Sequence, residues 1–180
     1  MGVVAEFGPA FDWFMQFEQP RADYEPHPDK CPNGCAGPCF ALAGINSAVW
    51  PITFAQVKVA PLEDRPAMVE AFYAQNYWNH WLAALQSQAL VNSVVDMAVN
   101  AGMGTAVRLL QTVVSATPDG IIGPATVAAV NLALAHSEKR VVIDYANARI
   151  SYYDGIDGSP AEHNAWRHRA EATCTAQSLT

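Results

Sequence analysis

A chain of 180 residues, 51% apolar and only 15% charged, has the composition of one compact domain, with or without an appended lobe, and excludes a disordered chain. Ten Lys and Arg against seventeen Asp and Glu give a net charge of −7, which argues against a sequence-independent grip on phosphate and sets nucleic acid aside as a partner. No run approaches the roughly 18 consecutive apolar residues of a membrane span, and Met1 to Ala10 shows no basic leader followed by a long apolar stretch.

Phe11, Phe14, Met15 and Glu18 fall at i, i+3, i+4 and i+7, which predicts a short helix over 9–18 with Glu18 on its apolar face. Pro20 biases Gln19 out of the α region and ends that helix. Residues 21–59 are rich in Pro, Gly, Cys and Asn and lack a sustained helical period, so a long shaped loop with short strands is expected. Cys31, Cys35 and Cys39 lie within it at C-x3-C-x3-C spacing, and Cys174 stands alone near the C-terminus. Disulfides, free thiols and, through the nearby His27, a metal site all fit this set. In the oxidised form one bridge is expected inside the loop and another from the loop to the C-terminal tail.

A second helix is predicted from Arg65 or Pro66 to about Leu85, with proline in its first turn. Phe72, Tyr73, Tyr77, Trp78 and Trp81 on it form a core seam for the most part, with Trp78 or Trp81 as candidate platforms for a sugar ring. From Gln88 to Gly102 the chain is apolar on nearly every side, the mark of a central helix. Asn92, Asp96 and Asn100 recur there every fourth residue, a polar stripe that either braces neighbouring backbone or walls a cleft. Gly102 to Gly104 forms a break, and a helix over 105–114 follows through Ala106, Leu109, Leu110 and Val113. Asp119-Gly120 predicts a tight turn, and Gly123-Pro124 opens a helix carrying Val127, Val130 and Leu134. Two more helices are expected over 138–153 and 160–172, then a tail over 173–180 held only if Cys174 is bridged.

Glu18 is the residue that points to chemistry. A carboxyl on an apolar face, at the carbonyl end of a helix, is favoured in its protonated form. An acid kept protonated can donate to a glycosidic oxygen. Asp23, Glu25, Asp29 and Asp96 compete for the role of second carboxylate. No Ser-His-Asp order, phosphate-cradling glycine loop or H-E-x-x-H helix is present, and His80, His136, His163 and His168 are scattered.

Phe17-Glu18 at a helix end, a Pro/Gly loop, Gly44-Ile45 and then Phe72-Tyr73-Ala74-Gln75-Asn76-Tyr77-Trp78 resemble the phage and bacterial muramidases of glycoside hydrolase family 108. Val95 to Gly102, Leu109-Leu110-Gln111 and Asp119 to Thr126 look like the peptidoglycan-binding C-terminal part of that family, and Arg149 to Tyr153 and Trp166 to Arg169 fit its ending. The resemblance implies a mainly α, lysozyme-like fold with a long Cys/Pro/Gly-rich loop after the first helix. It also implies cleavage of the β-1,4 bond between N-acetylmuramic acid and N-acetylglucosamine, with Glu18 as general acid and no metal or organic cofactor. The family's Glu-Gly-Gly-Tyr is replaced by Glu18-Gln19-Pro20-Arg21-Ala22-Asp23-Tyr24, which makes Tyr24 the displaced tyrosine and, with Trp78, Asp96 and Asn100, a candidate for substrate binding.

The expected organisation is a catalytic-type lobe over 1–87, a helical peptidoglycan-binding part over 88–172 packed as one unit with it, and a tail over 173–180. Peptidoglycan is the expected partner, joined by a phage particle or a secretion partner for delivery. The expected site of action is the cell wall or periplasm, after synthesis in the bacterial cytoplasm without a signal peptide, as in an endolysin or a virion-associated enzyme. The alternative is a non-catalytic peptidoglycan-binding or phage structural protein that has kept the fold. A lytic transglycosylase is a third reading.

Overall fold

The computed structural model describes residues 4–19, 21–31, 35 and 37–178, with backbone alone for 175–178. Pro20, which the sequence makes a helix stop, lies outside the described residues. The architecture is mainly α, with eight helices and one small antiparallel sheet among the described residues. Two compact units are present: Phe14–Asn76, and Met1–Trp13 together with Tyr77–Thr180. The boundary expected after residue 87 thus falls inside the second unit.

The smaller unit contains the end of α1 (Phe7–Glu18) from Phe14 on, with Phe14 and Met15 buried as the period requires. Strands β1 (His27–Asp29), β2 (Cys39–Leu42) and β3 (Ile45–Asn46) form a sheet in the order β1-β2-β3. Leu42 pairs with Ile45 around a two-residue turn, Ala43-Gly44, in which both residues have positive φ (48° and 78°). Such a turn matches the twist of the strands it joins, and glycine adopts it without steric cost. A Cys31–Cys39 disulfide closes the preceding loop. The bridge expected to the C-terminal tail is not formed: Cys35 and Cys174 are outside any disulfide.

Helix α2 (Pro51–Val59) runs where the sequence predicts loop. Phe54 and Val57 are buried and the helix lies against β2 and β3, while Ile52 and Val59 are 75% and 81% exposed, so apolar residues point both ways and erase the period. The predicted 65–85 helix is two helices, α3 (Arg65–Tyr77) and α4 (His80–Ala83). Between them Asn79 turns extended, and its side chain accepts hydrogen bonds from the Trp81 and Leu82 N–H groups, starting a new helix.

In the larger unit, α5 (Gln88–Ala101) is the central helix. Leu90, Val91, Val94, Val95, Met97 and Ala98 have no exposed surface. Gly102 alone, at φ 85°, separates it from α6 (Met103–Val113). Helix α7 (Pro124–Asp154) contains both helices predicted for that stretch, divided where Ser137 leaves helical geometry and its hydroxyl accepts from the Arg140 N–H. Helix α8 (Pro160–Ser178) opens on a reciprocal cap, Ser159 with Glu162, and continues as helix through most of the predicted tail. Helix α7 packs against α4, α5, α6 and α8.

Candidate active site

Glu18 ends α1 half-buried, with the Gln19 N–H completing the last turn onto the Met15 carbonyl. The β2–β3 turn closes on its carboxyl. A Cβ placed on Gly44 would lie 2.7 Å from Glu18 Oε2 and 3.2 Å from Cδ, and would overlap the Tyr73 hydroxyl. Tyr73, 1% exposed, donates that hydroxyl to the Ala43 carbonyl at 2.9 Å, and its ring packs on Phe14 with centroids 4.7 Å apart. Carboxyl, phenol and turn therefore share a nook that only a residue without a side chain at position 44 leaves open. The sequence places Tyr73 in a core seam, and it is buried. Its hydroxyl beside Glu18 depends on a contact thirty residues away that no local period reveals.

The loop after Glu18 is held by its own polar groups. Asp23 accepts from Gln19 Nε2 (3.1 Å), the Glu25 N–H (3.1 Å) and His27 Nε2 (2.9 Å). The His27 hydrogen bond first, then the Glu25 N–H, holds the Asp23 carboxyl below the usual aspartate value. Arg21 Nη1 lies 2.9 Å from His27 Nδ1; because a guanidinium only donates, Nδ1 accepts and Nε2 carries the hydrogen given to Asp23. Arg65 fastens the next stretch: it donates to the carbonyls of Tyr24, Ala60 and Lys58 and pairs with Glu25 at 3.0 Å. Tyr24 itself is half-buried at φ 51°. Asp29 accepts from Asn46 Nδ2 at 2.7 Å across the sheet. Asp23, Glu25 and Asp29 are thus engaged in shaping the loop. Among the described residues no group of three His, Cys, Asp or Glu side chains is arranged to hold a metal ion.

The remaining predicted site residues belong to the larger unit. Asp96 is fully buried, with one carboxylate oxygen on Arg149 Nη2 and the other 2.6 Å from Arg169 Nη2. A carboxylate so enclosed offers no oxygen to a substrate, which corrects the cleft-wall reading for Asp96 in favour of the brace. Asn92 accepts from Gln88 Nε2 at 2.7 Å, and Asn100, exposed at the other end of the stripe, donates to the Tyr153 hydroxyl at 3.4 Å. Trp78, between α3 and α4, is half-buried with its ring edge-on to Phe7 at 5.6 Å. In the same unit Gln111, 1% exposed, organises the Asp119-Gly120 turn. Its Nε2 donates to Asp119 Oδ1 (2.7 Å) and Thr126 Oγ1 (3.0 Å), and its Oε1 accepts from the Gly120 N–H (2.9 Å).

Residues 41–102 match the family model Glycosyl hydrolase 108, and residues 105–170 match that of the Predicted Peptidoglycan domain. Over residues 41–102 the chain is similar to the glycosyl hydrolase 108 family. Gly44 and Tyr73 lie inside the hydrolase segment and Glu18 lies upstream of it; the Gln111-centred turn lies inside the peptidoglycan segment. With a hydrolase segment followed by a peptidoglycan segment, the chain is in general class a peptidoglycan hydrolase. It shares its fold with the structure titled Brucella abortus SagA, at 22% identity and a TM-score of 0.73 over 96% of this chain and 94% of that one. No curated protein matches it.

Proposed function

We propose that the chain is an N-acetylmuramidase that cleaves the β-1,4 bond between N-acetylmuramic acid and N-acetylglucosamine, with Glu18 as general acid. The observation that carries this is the nook itself: the half-buried Glu18 carboxyl faces a backbone turn kept free of side chain at Gly44 and braced by the Tyr73 hydroxyl. A carboxylic acid placed there gives its proton to the leaving glycosidic oxygen as the bond breaks. Water completes the hydrolysis. The Asp23 loop and the Arg65 clamp on Tyr24 hold the wall of the site after Glu18, with Tyr24 as a substrate contact.

Mass analysis of soluble fragments from purified peptidoglycan tests this with the wild type and Glu18→Gln. Reducing muramic-acid ends from the wild type alone, with wall binding kept by the variant, are expected. Anhydro ends would replace hydrolysis by a transglycosylase reaction. A folded, wall-bound wild type that releases nothing would establish the second reading, a non-catalytic wall-binding protein. That reading draws on the peptidoglycan segment over 105–170, which excludes Glu18. Delivery through a phage particle or a secretion partner belongs to the same proposal, and release of activity only by lysis or particle assembly is its expected signature.

A further inference from the structure

We propose that the groove between α2 and α3 is a second saccharide site, one that takes an uncharged, N-acylated sugar unit of a glycan strand away from the Glu18 nook. The groove holds about 410 Å³, within the roughly 300–1,000 Å³ of small-molecule sites. Trp50, Thr53 and Gln56 line it from α2 and its start, and Phe72, Gln75 and Asn76 from α3. Met68, Phe72 and Gln75 recur along α3 at helical spacing and define a groove face. Tyr73, which serves Glu18, projects about 100° around the helix from Phe72.

The lining selects the ligand. No charged side chain contributes to it, so an anionic or cationic partner finds no counter-charge there. Trp50 stands half-exposed with its ring held edge-on against buried Phe72 at 5.0 Å, an aromatic surface fixed in orientation. Around it the side chains of Thr53, Gln56 and Gln75 make no hydrogen bond to any described residue. Asn76 donates Nδ2 to the Phe72 carbonyl at 2.7 Å, which orients the amide and leaves Oδ1 as an acceptor. An apolar partner helix laid here would bury these amides unsatisfied, at a cost in free energy. A sugar ring brings an apolar face for the indole, and hydroxyl and acetamido groups for the amides. The proposal rests on the chain acting on glycan but not on the role of Glu18.

The test is titration of the ¹⁵N-labelled full chain with the β-1,4-linked N-acetylglucosamine tetramer, followed by NMR. Saturable shifts are expected at the Trp50 indole N–H and the side-chain amides of Gln56 and Gln75. Trp50→Ala is expected to weaken binding about tenfold. Gln75→Leu, an exposed position whose replacement leaves the fold intact, is expected to weaken it several-fold. Glu18→Gln should bind as the wild type does, so loss of hydrolysis and loss of groove binding are read separately. Shifts confined to the surroundings of Gly44 and Tyr73, unchanged affinity in both groove variants, or groove shifts produced only by free stem peptide would each overturn the proposal.

Discussion

Arg149 and Asp96 form an ion pair in which neither side chain has any exposed surface. Arg169 takes the second Asp96 oxygen and Ser93 Oγ accepts from Arg149 Nη1 at 2.8 Å, so α5, α7 and α8 meet on one carboxylate. Removing that carboxylate leaves one guanidinium fully buried and another nearly so, without their counter-ion. Asp96→Ala is therefore expected to destabilise the fold by about 3–5 kcal/mol. Urea unfolding measures this, and a loss below about 1 kcal/mol would show that the triad does not hold the helices together.

Gly44→Ala combines a left-handed backbone at φ 78° with a methyl group aimed at the Glu18 carboxyl and the Tyr73 hydroxyl. The expected result is a loss of about 1 kcal/mol or more of stability and a fall in wall-lytic rate larger than the fraction unfolded explains. Turbidity clearing by the folded variant at the wild-type rate would remove Gly44 from the site.

The parts of the fold visible in the sequence are those whose cause is local. Glu18 on the apolar face of α1, the all-round apolar α5, the Asp119-Gly120 turn and the helix opened by Pro124 all announce themselves in residue spacing or turn chemistry. Helix α2 is silent because Ile52 and Val59 face outward. The break at Asn79 is hidden because one side-chain oxygen capping two N–H groups outweighs an aromatic period that runs straight through it. The candidate site is half legible for the same reason. Glu18 is found from its own helix, whereas Tyr73 beside Gly44, and the arginines that claim Asp96 from 53 and 73 residues away, are long-range facts.

The Asp119-Gly120 turn gives a pH dependence of definite sign. The Ile121 N–H first, then Gln111, holds the Asp119 carboxyl below its ordinary value of 3.8. A depressed folded value means that the turn's contribution is complete above the ordinary value and is lost as pH falls below it through the folded one. Urea midpoints for the wild type and Asp119→Asn should therefore converge as the solution is acidified below that value. Midpoints that stay apart at the lowest pH, or that diverge there, would contradict the hydrogen-bonded turn. Gln111→Ala, which strips buried partners from the same turn, is expected to cost about 1–3 kcal/mol at neutral pH.

The Cys31–Cys39 bridge closes a short loop beside β1 and β2, separated by eight positions in sequence. In the chain-entropy picture a loop of that size contributes about 2–3 kcal/mol. Cys31→Ser, or reduction of the wild type, should lower the unfolding midpoint accordingly. An unchanged midpoint under reducing conditions would show that the sheet holds without the bridge.

The ion triad has a bearing on how such proteins are cut and recombined. Arg149 and Arg169 fall within the peptidoglycan segment, whereas Asp96 falls within the hydrolase segment that precedes it. The seam between the two family descriptions passes through a set of charges that neutralise one another, so what sequence comparison treats as two parts is electrically one. A fragment starting at residue 105 would carry two guanidinium groups into a core that has lost α5 as well as its counter-ion. Only an excision that takes α5 along transplants a piece whose interior is balanced.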